Sequence, residues 1–323
     1  MNNNIIILFL ISTVFCQHQF SGFVNFSSAN RLNDASLIRL PYRISGLTWD
    51  YSAEQFLLSG NLAMEYYVRD DLDFISDRSI HEFSLDLREL YFQFYSGNTE
   101  FRFGKQIHSW GMVDENSPLD VANAYDYYYL FNAGTERKLG SWSLASESYL
   151  YDFVIKTLIS PFHQTNRLPV INGSPDPEFG FNLPVAPQEN QFIDIKNTAE
   201  YGLSVNRTIM NTDVSLMMFS GYDRLFNLSG VNVYGMGADI SFPKIDIVYG
   251  HRKTQMVGFG LTQFTNRITL RADFGFFKSE DQNSDIRKEK TFVNQAYNSL
   301  HFSYPLQEKA EYYQANIQIE YDL

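Results

Sequence analysis

Cysteine is nearly absent from this chain: there is one, Cys16, in 323 residues. It follows residues 5–15 (IIILFLISTVF), the one long apolar run, which at eleven residues is too short to cross a bilayer. That run has the length of the apolar core of a secretory leader. The expected cleavage site is after Val14-Phe15-Cys16, although the leading MNNN carries no base. Phe15 is too bulky to stand before a lipidated cysteine. The expected division is therefore a signal peptide at 1–16 and one exported domain at 17–323. Cleavage there leaves no thiol, which excludes disulfides, cysteine nucleophiles and cysteine metal sites.

Positive charge is also scarce. Lys and Arg number 25 against 37 Asp and Glu, for a net charge of −12. No basic patch is left for phosphate, so nucleic acid is not an expected partner. The histidines (His18, His81, His108, His163, His251 and His301) show no metal-ligand spacing, and no His-Glu-x-x-His occurs. No cofactor or metal is expected. GFGLTQ and GMGAD contain Gly-x-Gly, but neither precedes a helical pattern, so they do not read as nucleotide loops. His108-Ser109 is the nearest approach to the His/Ser pair of a membrane lipase, whose local pattern is absent. The sequence predicts no chemical step.

Aromatics, by contrast, are abundant: 28 Phe and 21 Tyr, a load that suits strands. Mean hydropathy is nevertheless −0.26, so apolar residues are interleaved with polar ones. Residues 87–111 (LRELYFQFYSGNTEFRFGKQIHSWG) show how. Ser96-Gly97-Asn98 reads as a tight turn. After it, Phe101 and Phe103 share one face, while Glu100, Arg102, Gly104 and Gln106 share the other. In TAEYGLSVNR, Ala199, Tyr201, Leu203 and Val205 oppose Glu200, Gly202, Ser204 and Asn206. In RITLRADFGF, Ile268, Leu270, Ala272, Phe274 and Phe276 oppose Arg271, Asp273 and Gly275. At the C-terminus Tyr313, Ala315, Ile317, Ile319, Tyr321 and Leu323 alternate with polar residues ending in Glu320 and Asp322. Period two sustained over ten residues or more means long strands with one apolar face.

Connections alternate in length. Short ones fall at 52–54, 96–98, 151–152, 210–212 and 265–266; long ones fall at about 70–80, 111–140, 161–196, 223–244 and 278–310. Tight turns at one end, long loops at the other and apolar-out alternation describe a transmembrane antiparallel up-and-down β-barrel, with periplasmic turns and extracellular loops. The count is about twelve strands, from near Phe20 to Leu323. The chain is either whole at twelve strands or stops short of a longer barrel. Register breaks near Arg88: Leu85 and Leu87 are on one phase, and Leu90, Phe92 and Phe94 on the other. A bulge would restore it.

The run from Leu87, with LRELYFQF, TEFRFGKQIHSWGMVDENSPLDVANAYDYYYLF and ERKLGSWSLASESYLYDFVIKTLISPF, resembles a family of porin-like outer-membrane proteins known only as a domain of unknown function, related to the alginate-export barrels. In that family a strand ending Gly-(Arg/Lys)-Gln leads to Trp-Gly, an acidic residue and a long loop through Pro and Asp. Here these are Gly104, Lys105, Gln106, Trp110, Gly111, Asp114, Pro118 and Asp120. The resemblance spans about residues 85–280 and implies the barrel more than any substrate.

The loop after Trp110 is the leading functional candidate, because Tyr127-Tyr128-Tyr129-Leu130-Phe131 is too apolar to rest in water. It is expected either to fold into the lumen and narrow it or to lie on the rim as a lid. The loop 161–196 reads as a surface recognition loop or as an ordinary connection. Candidate lumen or constriction residues are Glu100, Arg102, Gln106, Trp110, Asp114, Asp120, Glu200, Arg271, Asp273 and Glu320. Both signs are present, so cross-strand pairing competes with any ion preference. The expected function is passive diffusion of small solutes, apolar or aromatic ones among them. The expected partners are outer-membrane lipid, the solute, and the barrel-assembly machinery during insertion. Alternatives are a non-conducting structural or adhesive barrel and, further off, a secreted all-β carbohydrate-binding domain.

Overall fold

The computed structural model describes residues 17–26, 29–38, 40–67, 83–130, 132, 134–171, 174–175, 191–282, 286–287 and 299–321. Twelve strands form one antiparallel sheet in which each pairs with its neighbours in chain order. In the first half these are β1 (His18–Val24), β2 (Pro41–Ser52), β3 (Phe56–Tyr67), β4 (Phe83–Ser96), β5 (Thr99–Gln106), β6 (Ser141–Leu150) and β7 (Phe153–Ser160). After β8 (Glu200–Ile209) and β9 (Thr212–Tyr222) comes an inserted hairpin, β10 (Asn227–Met236) and β11 (Asp239–Gly250). The sheet resumes with β12 (Lys253–Thr265) and β13 (Ile268–Glu280). It ends, after the short β14 (Ser299–Pro305), with β15 (Lys309–Tyr321).

The wall alternates as its sequence does. Leu216, Ile317 and Ile319 are 61%, 67% and 68% exposed, whereas Glu200 and Asp273, on the opposite phase, are 1% exposed. This is the reverse of a soluble sheet, in which the apolar face would be covered. The tight turns all lie at one end. Gly97, Tyr151 and Met210 adopt φ of 59°, 55° and 55°, the left-handed conformation that lets a two-residue turn match strand twist. Curvature is read from one loop. Residues 107–140 bond to Arg43 on β2 and to Asn316 on β15, so strands near both edges of the sheet curl around the same segment. The architecture is that of an antiparallel up-and-down β-barrel. Among the described residues no ladder joins β1 to β15.

The register break has the anticipated cause. Pairing of β3 with β4 steps from Asn61↔Glu89 to Leu62↔Leu87, passing over Arg88. The extra residue puts Leu85, Leu87, Leu90, Phe92 and Phe94 all outside and buries Arg88 inside.

Two connections depart from expectation: residues 278–310 carry β14, and residues 223–244 depart further. Residues 223–244 are not a long loop, because β10 and β11 begin there and form a second, three-stranded sheet with β14. This sheet repeats the inside-out pattern, with Ile245, Ile247, Phe302 and Tyr304 exposed and Asn232, Tyr234, Asp246 and Val248 buried. Polar and glycine residues interrupt the alternation of these strands, so nothing in the sequence sets them apart from a loop. The 70–80 connection, most of 172–190, Phe131 and Leu323 lie outside the described residues.

Deleting Arg88 should remove the bulge and leave Leu85, Leu87, Leu90, Phe92 and Phe94 on one outward phase of a regular ladder. The heat-shifted folded band on an unheated gel should then be retained, as it should in Arg88→Ala, and its loss on deletion alone would show that the bulge itself is required.

Candidate functional site

The site is built around the loop between β5 and β6. It enters the barrel under three constraints. Ile107 N–H donates to the Glu89 carboxylate at 2.9 Å, and His108 N–H donates to Asn123 Oδ1 at 2.8 Å. Asn123 Nδ2 donates in turn to Asp120 Oδ1 at 2.9 Å, and Lys138 makes an ion pair with the same Asp120 carboxylate. Asp120 is thus an internal brace of the loop. Gln106, at the end of β5, donates to the Ser143 carbonyl at 3.0 Å and holds β5 to β6 where the loop departs.

The innermost turn docks on Asp273. Its carboxylate accepts Met112 N–H at 2.9 Å, Val113 N–H at 3.1 Å and the Ser117 hydroxyl at 2.7 Å. Bonds to an ionised acceptor are stronger than neutral ones. Gly111 makes the turn with φ of 99°, and a Cβ there would collide with Ser117 and Asp273. Beside it, Asp114 pairs with Arg271 at 3.2 Å and accepts from Gln318 at 2.7 Å. Arg271 also pairs with Glu320. Trp110 lies over Gly202 on β8, where any Cβ would strike the indole.

The outer half of the loop is gripped by arginines. Glu136 bridges Arg43 and Arg88, with Arg88 Nη1 at 2.7 Å, and Arg43 also covers the Tyr129 ring at 4.1 Å. Arg167 reaches from the loop after β7 to Asp126 at 3.0 Å and to Glu65 at 2.9 Å. Arg224 donates to the carbonyls of Val121 and Ala122, each at 3.1 Å, and pairs with Glu200 at 2.8 Å. Between these anchors lies an apolar cluster of Trp110, Leu119, Ala122, Ala145, Leu158, Met217, Phe219, Met256 and Phe277. The lumen is therefore not lined by polar residues alone. Where the loop brings apolar side chains inward, the wall meets them with apolar ones on its inward phase.

The sequence candidates separate into groups. Trp110, Asp114, Arg271, Asp273 and Glu320 converge on the loop's inner turn, and Glu200 holds its outer half through Arg224. Glu100 and Arg102 pair with each other at 2.7 Å, near the tight turns. There Glu147 lies 3.7 Å from Arg102 and 3.3 Å from Lys156, so opposite charges alternate across β5, β6 and β7. Arg43, Glu65, Glu136, His163 and Arg224 were not anticipated. Only Arg88 carried a signal, as the residue that breaks the alternation.

Two cavities flank the inner turn. One, of about 340 Å³, lies on the tight-turn side and is lined by Glu147, Lys156, Asn206, Arg207 and Asp213. The other, of about 230 Å³, lies within the loop beside Asp114, Asp120 and Arg137. Ser109, Trp110, Gly111 and Met112 line both. Among the described residues, no three His, Cys, Asp or Glu side chains cluster as metal ligands.

No protein-family model matches this sequence, and no curated protein matches it. Two solved structures overlap it at low similarity. OmpF of Salmonella typhi in complex with daunomycin is 10% identical with a TM-score of 0.31, over 93% of this chain and 83% of that one. OmpT, an outer membrane protein of Vibrio cholerae folded in vitro, is 10% identical with a TM-score of 0.22, over 94% of this chain and 95% of that one. Overlap at this level adds nothing to the topology described above.

Asp273→Ala should release the inner turn, since it removes an acceptor serving two N–H groups and a hydroxyl, each bond worth about 1.5–3 kcal/mol when the acceptor is charged. Limited proteolysis should then cut within 107–140 in the variant under conditions that spare the parent. A pH effect is expected at the outer rim, where His251 Nδ1 donates to the Asp223 carbonyl at 2.9 Å. Burial, with His163 adjacent, depresses the His251 imidazole from 6.5 to about 4. The unfolded chain takes up this proton first, so stability should fall as pH drops from about 6.5 to 4. The urea midpoint should show that fall, and His251→Phe should lack this share of it.

Proposed function

We propose that this chain is an outer-membrane barrel providing a porin-like passage for small solutes, with the loop 107–140 as its constriction. One observation carries the reading: two cavities inside the wall share one partition, Ser109–Trp110–Gly111–Met112, which lines both. A solute displacing that partition passes between chambers lined by charged and amide groups. The membrane assignment is supported by the outward band, in which Phe92, Phe94, Leu144, Tyr201, Leu216, Phe274 and Ile317 are exposed with no protein cover. Acyl chains cover such a band favourably, and water does not. The secretory leader read from residues 1–16 agrees with export to that membrane. Kinship with the alginate-export barrels belongs to the same proposal and rests on Gly104-Lys105-Gln106 and Trp110-Gly111, the approach to the constriction.

A second reading, a closed barrel serving as a structural or adhesive surface protein, is favoured by the apolar cluster. Trp110 and Leu119 pack there against Phe219, Met256 and Phe277, and such a seam excludes water and ions.

Planar-bilayer recording of refolded residues 17–323 tests both. Discrete steps, enlarged on deleting 115–132 or in Trp110→Ala, are expected of a constricted channel. A heat-shifting, folded band with no steps from the parent or from either variant would establish the closed barrel instead.

A further inference from the structure

On the side of the loop away from the tight turns, a cavity of about 610 Å³ opens between residues 163–168, 192–198, 224–226 and His251. Its size is that of a small-molecule site. Its walls carry an aromatic cluster. Phe192 meets Phe226 edge-on at 5.5 Å and stacks on His251 at 5.9 Å, and His163 lies 4.9 Å from His251. Leu168, Ile193 and Ile195 complete the apolar surface.

Three polar side chains of this cavity set its chemistry: His163, Asp194 and Arg224. The His163 side chain is 3% exposed, and its Nδ1 lies 2.9 Å from a Glu200 carboxylate oxygen. The same Nδ1 lies 3.2 Å from Arg224 Nη1. His163 Nε2 is buried and has no hydrogen-bond partner. Asp194, an exposed carboxylate on the same cavity, has no ion-pair partner among the described residues. The cavity's one arginine, Arg224, is already engaged by Glu200 and by the carbonyls of Val121, Ala122 and Gln164. The pocket thus offers ring faces, a buried ring nitrogen without a partner and a free carboxylate, and no unengaged arginine.

We propose that this cavity binds small aromatic amines whose ring also carries a hydroxyl. The ring packs among Phe192, Phe226 and His251, the ring hydroxyl, which can donate or accept, meets His163 Nε2, and the ammonium pairs with Asp194. Ammonium over these aromatic faces gains further from cation–π attraction. The site deepens the reading of the barrel as a solute passage, because the occupant sits directly above Arg224, which holds the constricting loop. Binding is measured without conductance, so failure of the channel and failure of the site are told apart.

The test is calorimetric titration of refolded 17–323 in lipid nanodiscs with tyramine, with phenethylamine as the probe lacking the ring hydroxyl and 3-(4-hydroxyphenyl)propionate as the probe lacking the amine. Expected are saturable tyramine binding, weaker phenethylamine binding and no uptake of the carboxylate. Asp194→Asn, a surface change that should leave folding intact, should weaken tyramine by at least about threefold. Phe226→Ala should weaken tyramine and phenethylamine alike. No saturable tyramine binding, equal binding of all three probes, or an unchanged affinity in Asp194→Asn would each overturn the proposal.

Discussion

Asp273 lies buried in the middle of β13, and what it receives is two backbone N–H groups and a hydroxyl from one loop turn. The rest of the interior depends on that arrangement. A wall that turns its apolar side outward must turn charges inward, and a buried carboxylate without partners is costly. The loop 107–140 answers this by supplying N–H groups to Asp273 and a carboxylate, Glu136, to Arg43 and Arg88. It also supplies carbonyls to Arg224. The wall orders the loop, and the loop satisfies the wall.

Two kinds of contact share this interior and have different consequences. The ionic anchors sit at the ends of the loop and fix its position. The apolar cluster lies between them and resists water, while small polar cavities remain on either side of Trp110. The segment Ser109–Met112, which lines both cavities, is therefore the partition between them. The arginine contacts at the outer half connect it to the aromatic cavity above. Glu200 stands at that junction, shared by Arg224 below and His163 above.

Much of this was legible in the sequence because strand alternation is a local property. Tyr313, Ile317 and Ile319 fall on one face whatever the rest of the chain does, so strand phases, tight turns and the bulge at Arg88 could be read directly. The candidates on polar phases, Asp273, Arg271 and Glu200, were recognised as inward for the same reason. The insert of β10 and β11 was missed because glycine and polar residues break its pattern. Phe219, Met256 and Phe277 also escaped notice, since apolar residues on an inward phase carry no local sign of what they will meet.

Composition and periodicity by themselves determined an all-β chain with an apolar outer face and charged inner residues, and turns distinguished from loops by length. These follow from the two-residue repeat of an extended backbone. Only the tertiary structure decided that the aromatic loop folds inward, that Asp273 receives it, and that His163, Asp194 and Phe226 share one cavity. Those residues lie far apart in sequence, and no local rule relates them. Closing a curved sheet around a loop brings them together, because the charges the wall turns inward must find partners there.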